Sequence, residues 1–230
     1  MKTERRQIDL NLLLIANIIV CVCAFSGFIY GGILFFRPKK AMYAQMITLA
    51  LGCVAFGRLF LVMRIVTGGN ITETFQLGFV GMIGTLLFFF SANYGSLDSL
   101  VDDSINDGII HKIIPFLVPV GAIAVYVIFF IIGETTLMWR IFGGILVAFI
   151  SLAGYFNIKH LLAPDIDKGV ITCLRPYNLL AVIYSASVLI ECVGLSRGNN
   201  VLAFVAGIVS AISIILIMPS IEMGVKKWLI

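Results

Sequence analysis

Charged residues are scarce in this sequence, and long polar stretches are missing from it. Asp, Glu, Lys and Arg together make up 12% of the 230 residues, whereas 60% of the residues are hydrophobic. Soluble domains are typically about 45–50% apolar, and the mean hydropathy of this chain is +1.08. This composition leaves no stretch for a soluble catalytic or signalling domain. The protein is therefore predicted to act inside a membrane or through a partner protein.

Catalytic and cofactor motifs are also missing. The sequence contains no CxxC pair, no HExxH motif and no Gly-rich phosphate loop, so neither a metal nor a cofactor is predicted. The five cysteines lie in apolar stretches and are interpreted as small buried hydrophobic residues. The net charge of +4 is spread over the ends of the apolar stretches, which gives no support for a nucleic-acid partner.

Long apolar runs fill almost the whole chain. A helix needs about 20 mostly apolar residues to cross the ~30 Å hydrocarbon core of a bilayer. Seven runs approach or exceed this length: Leu10–Phe36, Ala41–Met63, Phe75–Ala92, Ile109–Ile132, Thr136–Phe156, Val170–Leu195 and Val201–Pro219. The sequence therefore predicts an all-α membrane protein, a single bundle of seven transmembrane helices formed by residues 1–230, with the lipid bilayer as its surroundings.

The basic residues of the connecting segments predict the orientation of the bundle. Seven spans place the two termini on opposite sides; side A carries the N-terminus and side B carries the C-terminus. Five Lys or Arg residues fall on side A and eight fall on side B. Cytoplasmic loops are enriched in these residues. We therefore expect a plasma or inner membrane protein with its N-terminus outside and its C-terminus in the cytoplasm.

Two parts of the sequence resemble each other. The segment GFIYGGILFFRPKK matches GYFNIKHLLAPDIDK in its order of residue types, and GGNITETFQLGFVGMIGTLL resembles RGNNVLAFVAGIVSAISII. The interval from Pro38 to Phe79 nearly equals that from Pro164 to Phe204. These matches favour two parallel triplets of helices, residues 8–96 and 134–224, joined by a linker helix over residues 109–132. Two unrelated bundles with short loops would produce similar matches, so chance similarity remains the alternative.

This general plan resembles that of SWEET-type sugar carriers, which contain parallel repeats, and of the seven-helix microbial rhodopsins. The sequence lacks the motifs of both families. No PQ pair is present, and the seventh apolar run contains no lysine. Without a lysine in that run no retinal Schiff base can form there, so retinal is not a predicted ligand.

Arg58 is the most conspicuous residue, because it lies inside the second apolar run. An Arg at the centre of a transmembrane helix costs about 2.5–3.5 kcal/mol on insertion scales, so it should face the interior and find a partner. Glu191 is the predicted partner, since both residues lie in the half of the bundle nearer side A. Tyr177, Tyr184 and Glu191 recur every seven residues along one seam. The predicted ligand-binding pocket consists of Arg58, Glu191, Tyr184, Tyr177 and Asn17. The alternative is a buried ion pair that only stabilises the packing of the helices.

A second group of polar residues is predicted near side B. Its members are Asn93, Tyr94, Tyr155, Asn157, His160, Arg175 and Asn178. Two polar clusters at opposite ends of one bundle are what an alternating-access path requires. A bundle whose two ends are merely hydrated would show the same pattern.

The segment between the third and fourth runs contains Asp102, Asp103 and Asp107. Such carboxylates suit a hard cation such as Mg²⁺, as in metal-dependent lipid transferases. A solvated acidic loop explains them more simply, so this metal site is only a weak alternative and an enzyme is not the favoured reading.

The predicted function is small-molecule binding within the bundle, most in keeping with a transporter or carrier. A seven-helix sensor or receptor would use the same pocket but signal through a membrane or cytoplasmic partner protein. An accessory subunit of a larger membrane complex would need the Arg58–Glu191 pair only for packing.

Overall fold

The computed structural model describes residues 2–37, 41–69, 71, 77–102, 113–133, 135–163 and 170–228. Throughout these ranges the regular structure is helical. The α-helices are α1 (Lys2–Phe35), α2 (Met42–Val66), α3 (Gly78–Asp102), α4 (Leu117–Tyr126), α5 (Leu137–Leu162), α6 (Val170–Ser196) and α7 (Asn200–Trp228). Seven helical segments in this part of the chain are long and apolar enough to cross a membrane. The all-α prediction with seven spanning segments is confirmed to this extent, and the fold is compatible with an integral membrane protein.

Six of the helices form a ring. Going round it, α1 packs on α2, α2 on α3, α3 on α5, α5 on α6, α6 on α7, and α7 returns to α1. Helices α2 and α6 therefore stand on opposite sides of the ring, and the core lies between them. The largest fully buried side chains include Arg58, Tyr177, Tyr184, Phe79 and Phe89. A charged residue and two tyrosines thus occupy the place where a soluble bundle would bury aliphatic residues.

The fourth span differs from the single helix predicted over residues 109–132. A 3₁₀ turn (Ile114–Phe116) precedes α4, and a π-helical turn (Val127–Ile131) follows it. Pro115 and Pro119 account for the irregular start, because proline has no N–H to donate and its ring clashes with the preceding turn. The span packs chiefly on α5, outside the ring, and only 17% of its most apolar window is buried. Residues 109–112 lie outside the described ranges.

Helices α2 and α6 end in the same way at side A. The Gly69 N–H donates to the Arg64 carbonyl and the Asn199 N–H donates to the Gly194 carbonyl, each over 2.8 Å. Gly68 and Gly198 hold the left-handed conformation that this cap requires, with φ of 79° and 66°. Arg58 lies ten residues before Gly68 and Glu191 lies seven residues before Gly198, so both charged residues lie in the half of their helix that is nearer side A.

Candidate functional site

The Arg58–Glu191 ion pair bridges the centre of the ring. Arg58 Nη2 donates to Glu191 Oε2 over 2.6 Å, and Nη1 donates to Glu191 Oε1 in a second, parallel bond. Nη1 also donates to Asn17 Oδ1 of α1 over 3.0 Å. Arg58 is 1% exposed and Glu191 is 3% exposed. This bidentate geometry is the strongest form of the Arg–carboxylate interaction, and it offsets part of the cost of placing each charge in an apolar interior.

The same contacts join three helices that the sequence separates widely. Asn17 anchors its own side chain by donating from Nδ2 to the Leu13 carbonyl, one turn earlier in α1, over 2.8 Å. Its Oδ1 is thereby fixed towards Arg58, whose Nε has no hydrogen-bond partner among the described residues. Arg58, Glu191 and Asn17, which were grouped together from the sequence, are in contact in the half of the ring nearer side A.

Two tyrosines continue the seam of α6 towards side B. Tyr184 and Tyr177 are both fully buried, and each packs edge-to-face on Phe89 of α3, with ring centroids 5.8 and 5.9 Å apart. With a rise of 1.5 Å per residue, the step from Glu191 to Tyr177 measures about 21 Å, compared with a thickness of ~30 Å for the hydrocarbon core of a bilayer. One face of α6 therefore carries polar atoms through most of that thickness.

The hydroxyl groups of these tyrosines are not satisfied. Neither the Tyr177 nor the Tyr184 oxygen has a hydrogen-bond partner within the described ranges. The Thr85 hydroxyl lies beside that of Tyr184 without the geometry of a hydrogen bond, and it is bonded to the carbonyls of Ala50 and Gly81 instead. As far as the structure describes the chain, the hydroxyl groups of Tyr177 and Tyr184 therefore lie inside the ring without a partner.

Four of the seven residues predicted near side B come together around Asn93. Asn93 Nδ2 donates to Asn157 Oδ1 over 2.8 Å and to Asn178 Oδ1 over 3.1 Å. The Nδ1 atom of His160 lies 3.3 Å from Asn93 Oδ1. All four side chains are at most 2% exposed. We refer to Asn93, Asn157, His160 and Asn178 as the asparagine cluster.

The structure separates the other three residues from this cluster. Tyr94 is 58% exposed and stacks on Phe90, because one residue along a helix turns the side chain by about 100°. Tyr155 lies two residues before Asn157, on the opposite helix face, and packs against Phe116. Arg175 reaches back to donate to the Ala163 carbonyl over 2.9 Å, at the start of α6. Tyr94, Tyr155 and Arg175 are close to cluster residues in sequence, but their side chains do not lie on the helix faces that point into the ring.

We expect an Asn93→Leu variant to lower the free energy of unfolding by about 1–3 kcal/mol, because Asn157 and Asn178 would lose their donor inside the ring. Thermal unfolding in detergent measures this loss. The matched control is Tyr94→Leu, the next residue, whose exposed side chain should be replaceable with little change. Equal stability of the two variants would show that the asparagine cluster does not hold the helices together.

Thr85 and Phe89 are part of the interior but were not predicted from the sequence. Both lie on α3 in the stretch TLLFFF, where five apolar residues after Thr85 hide any polar periodicity. Their spacing of four residues places them on one face. Asn93, four residues after Phe89, is a further polar residue on this face. This spacing was the only sequence signal that the face points into the ring.

The remaining predicted positions fall beyond what the structure describes. Asp103 and Asp107 lie outside the described ranges, and Asp102 ends α3 with its side chain undescribed. The acidic segment stays a sequence prediction.

The chain matches no protein-family model, no curated protein and no solved structure. Its class is defined by the fold and the site alone. Over the residues that the structure describes, it is a bundle with seven apolar helices, compatible with an integral membrane protein. Its six-helix ring encloses a bidentate ion pair, two tyrosine hydroxyl groups without a partner in those residues, and the asparagine cluster.

Proposed function

We propose that this protein is a carrier that moves a small polar solute through the centre of the six-helix ring. The observation that carries the proposal is the pair of buried tyrosines whose hydroxyl groups lack hydrogen-bond partners among the residues that the structure describes. An unsatisfied buried polar group costs about 1–3 kcal/mol, and phenylalanine would fill the same space without that cost. A solute that bonds to these hydroxyls during transit gives them a role that packing does not.

The polar groups also follow one another along the path. The Arg58–Glu191 pair lies towards side A, Tyr184 lies in the middle, and Tyr177 lies at the depth of the asparagine cluster towards side B. In the asparagine cluster, the Asn178 Nδ2 group likewise has no partner among the described residues, and it belongs to the residue next to Tyr177. A solute leaving the ion pair would therefore meet free hydrogen-bonding groups at successive depths.

The arrangement of the ring supports alternating access. Besides smaller contacts of α3 with α6 and of α2 with α7, residues 8–96 meet residues 134–224 mainly at the contacts between α1 and α7 and between α3 and α5. These two contacts are equivalent if the two triplets are repeats, since each joins the first helix of one triplet to the third helix of the other. Rocking of one triplet against the other would open the ring to one side and then to the other. The orientation with the N-terminus outside, proposed from the loop charges, puts the ion pair nearer the outer surface.

Flux through the purified protein tests the proposal. Proteoliposomes containing the full chain should take up at least one member of a panel of radiolabelled sugars, amino acids, carboxylic acids and amines. A Tyr177→Phe/Tyr184→Phe variant should fold with equal or greater stability and lose most of that uptake. Tyr94→Phe, which removes an exposed hydroxyl, is the matched control and should transport normally.

Three outcomes would overturn the carrier. Absence of uptake across the panel would do so directly. Solute binding without flux would instead indicate the sensor or receptor. Co-purification with a partner, without binding or flux, would indicate the accessory subunit. Unchanged uptake in the double phenylalanine variant would remove the tyrosine hydroxyls from the path.

A further inference from the structure

We propose that the solute is a zwitterion, carrying one carboxylate and one ammonium group, which binds by replacing each partner of the Arg58–Glu191 pair. This inference rests on the carrier proposal, since it names the chemical class of solute for that site. The carboxylate of the solute would pair with Arg58, and its ammonium group would pair with Glu191.

The balance of charges in the ring leads to this class of solute. Arg58 and Glu191 are both almost completely buried, and each is the other's ionic partner. Removing one partner of such a pair leaves a buried charge uncompensated, which is strongly unfavourable. An anion that binds Arg58 would leave Glu191 alone, and a cation that binds Glu191 would leave Arg58 alone. A zwitterion pairs both residues and adds no net charge to the interior.

Spare hydrogen-bonding groups surround the pair. Arg58 Nε and the Tyr184 hydroxyl are buried and have no hydrogen-bond partner in the described part of the chain. Tyr184 lies seven residues before Glu191 on α6, about two helical turns away on the same face. A carboxylate has about four lone-pair positions and an ammonium group has three donors, so a zwitterion can use Nε and the tyrosine oxygen together. In the Arg58–Glu191 pair as it stands, neither of these two groups forms a hydrogen bond within the described residues.

Replacement of the Arg58–Glu191 contact by the solute would also be coupled to movement of the two helix triplets. Helices α2 and α6 stand on opposite sides of the ring and belong to different triplets. Their long side chains, Arg58 and Glu191, join the triplets across the centre. A bound zwitterion would replace the direct ion pair with two ion pairs, one to Arg58 and one to Glu191, and would lie between them. The distance between the two side chains would therefore increase. Binding of the correct solute is thereby linked to separation of the triplets.

Matched probes with one carbon skeleton test the class of solute. 4-Aminobutyrate carries both charges, butyrate only the negative charge, and butylammonium only the positive charge. Glycine and β-alanine vary the distance between the two charges. At equal concentration and ionic strength, at least one zwitterion should raise the thermal midpoint of the detergent-solubilised protein, whereas butyrate and butylammonium should leave it unchanged.

A change of specificity in a single-site variant separates recognition from a purely structural role. Glu191→Gln keeps the shape of the side chain but leaves Arg58 without a counter-ion, so butyrate should now stabilise the variant. The affinity for the zwitterion should fall at least tenfold. Arg58→Leu/Glu191→Leu, which removes both charges, should respond to none of the charged probes.

The results distinguish this inference from the carrier proposal. Uptake of butyrate or butylammonium by the wild-type protein, without uptake of any zwitterion, would show that the solute class is wrong while the carrier stands. A Glu191→Gln variant that folds but gains no response to butyrate would also overturn the inference. Uptake of no probe from the wider panel would overturn the carrier itself.

Discussion

An Arg58→Leu variant is expected to be much less stable than the Arg58→Leu/Glu191→Leu double variant. The single change leaves the Glu191 carboxylate uncompensated inside the ring, and breaking a buried pair in this way costs about 3–5 kcal/mol. The double change removes both charges and puts two apolar side chains in their place, which in other buried pairs is neutral or stabilising. Unfolding of the purified protein with increasing denaturant, followed by circular dichroism, measures both values.

Arg64→Leu is the matched control for this experiment. Arg64 lies six residues after Arg58 on the same helix but is exposed at the side-A end of α2, so its replacement should change stability by less than about 1 kcal/mol. If the single and double variants at the ion pair were equally unstable, Glu191 would not be what compensates Arg58. If the single variant were as stable as the wild type, the pair would contribute nothing to the fold.

The same two variants separate stability from function. A pair that serves only packing can be replaced by two leucines without loss of activity. A pair that recognises the solute cannot, however stable the double variant is. Normal uptake by a stable Arg58→Leu/Glu191→Leu protein would therefore remove the ion pair from the site and leave the tyrosines and the asparagine cluster as the remaining candidates.

The sequence predicted the ion pair because a charge inside an apolar run has very few possible partners. Only Glu191 combined the opposite charge with a matching depth, so the assignment needed no knowledge of packing. The number of apolar spans followed from composition in the same way. These conclusions depend on the cost of polar groups in lipid, which is larger than any competing local preference.

The side-B grouping could not be predicted in full, because it depended on helix rotation. Asn93 and Tyr94 are adjacent in sequence, yet one is fully buried and the other is 58% exposed. A helix whose lipid face and interior face are both apolar gives little periodic signal, so the sequence does not show which side of α3 points inward. The irregular start of the fourth span has a different cause, since Pro115 and Pro119 interrupt the helical hydrogen bonding there and one continuous helix over residues 109–132 was predicted from the sequence.

A Gly57→Ala variant is expected to disrupt the contact between α2 and α3. A Cβ atom on Gly57 would lie 2.6 Å from the Gly78 carbonyl oxygen and 3.0 Å from the Gly81 Cα atom. Both neighbours belong to the α3 backbone, so they cannot move aside as a flexible side chain would. Small residues at such positions allow helices in membranes to pack closely, and overpacking a tight contact costs about 1–3 kcal/mol.

Gly32→Ala is the matched control, because a Cβ atom on Gly32 would have no atom within 4 Å. Alanine favours a helix over glycine by about 1 kcal/mol, so this variant should be as stable as the wild type or more stable. Thermal unfolding in detergent compares the two variants. Equal midpoints would show that the α2–α3 contact tolerates an added methyl group.

The carrier proposal further predicts that the Gly57→Ala variant loses solute uptake, because Gly57 precedes Arg58 on α2. A shift of α2 away from α3 would move the guanidinium group relative to Glu191, whose position is set by α6 and its contacts with α7. The bidentate geometry requires both N–H···O bonds to stay aligned, so a displacement of α2 would weaken the pair even though neither charged residue is changed. Retained uptake in a measurably destabilised Gly57→Ala protein would show that the site does not depend on this exact helix separation.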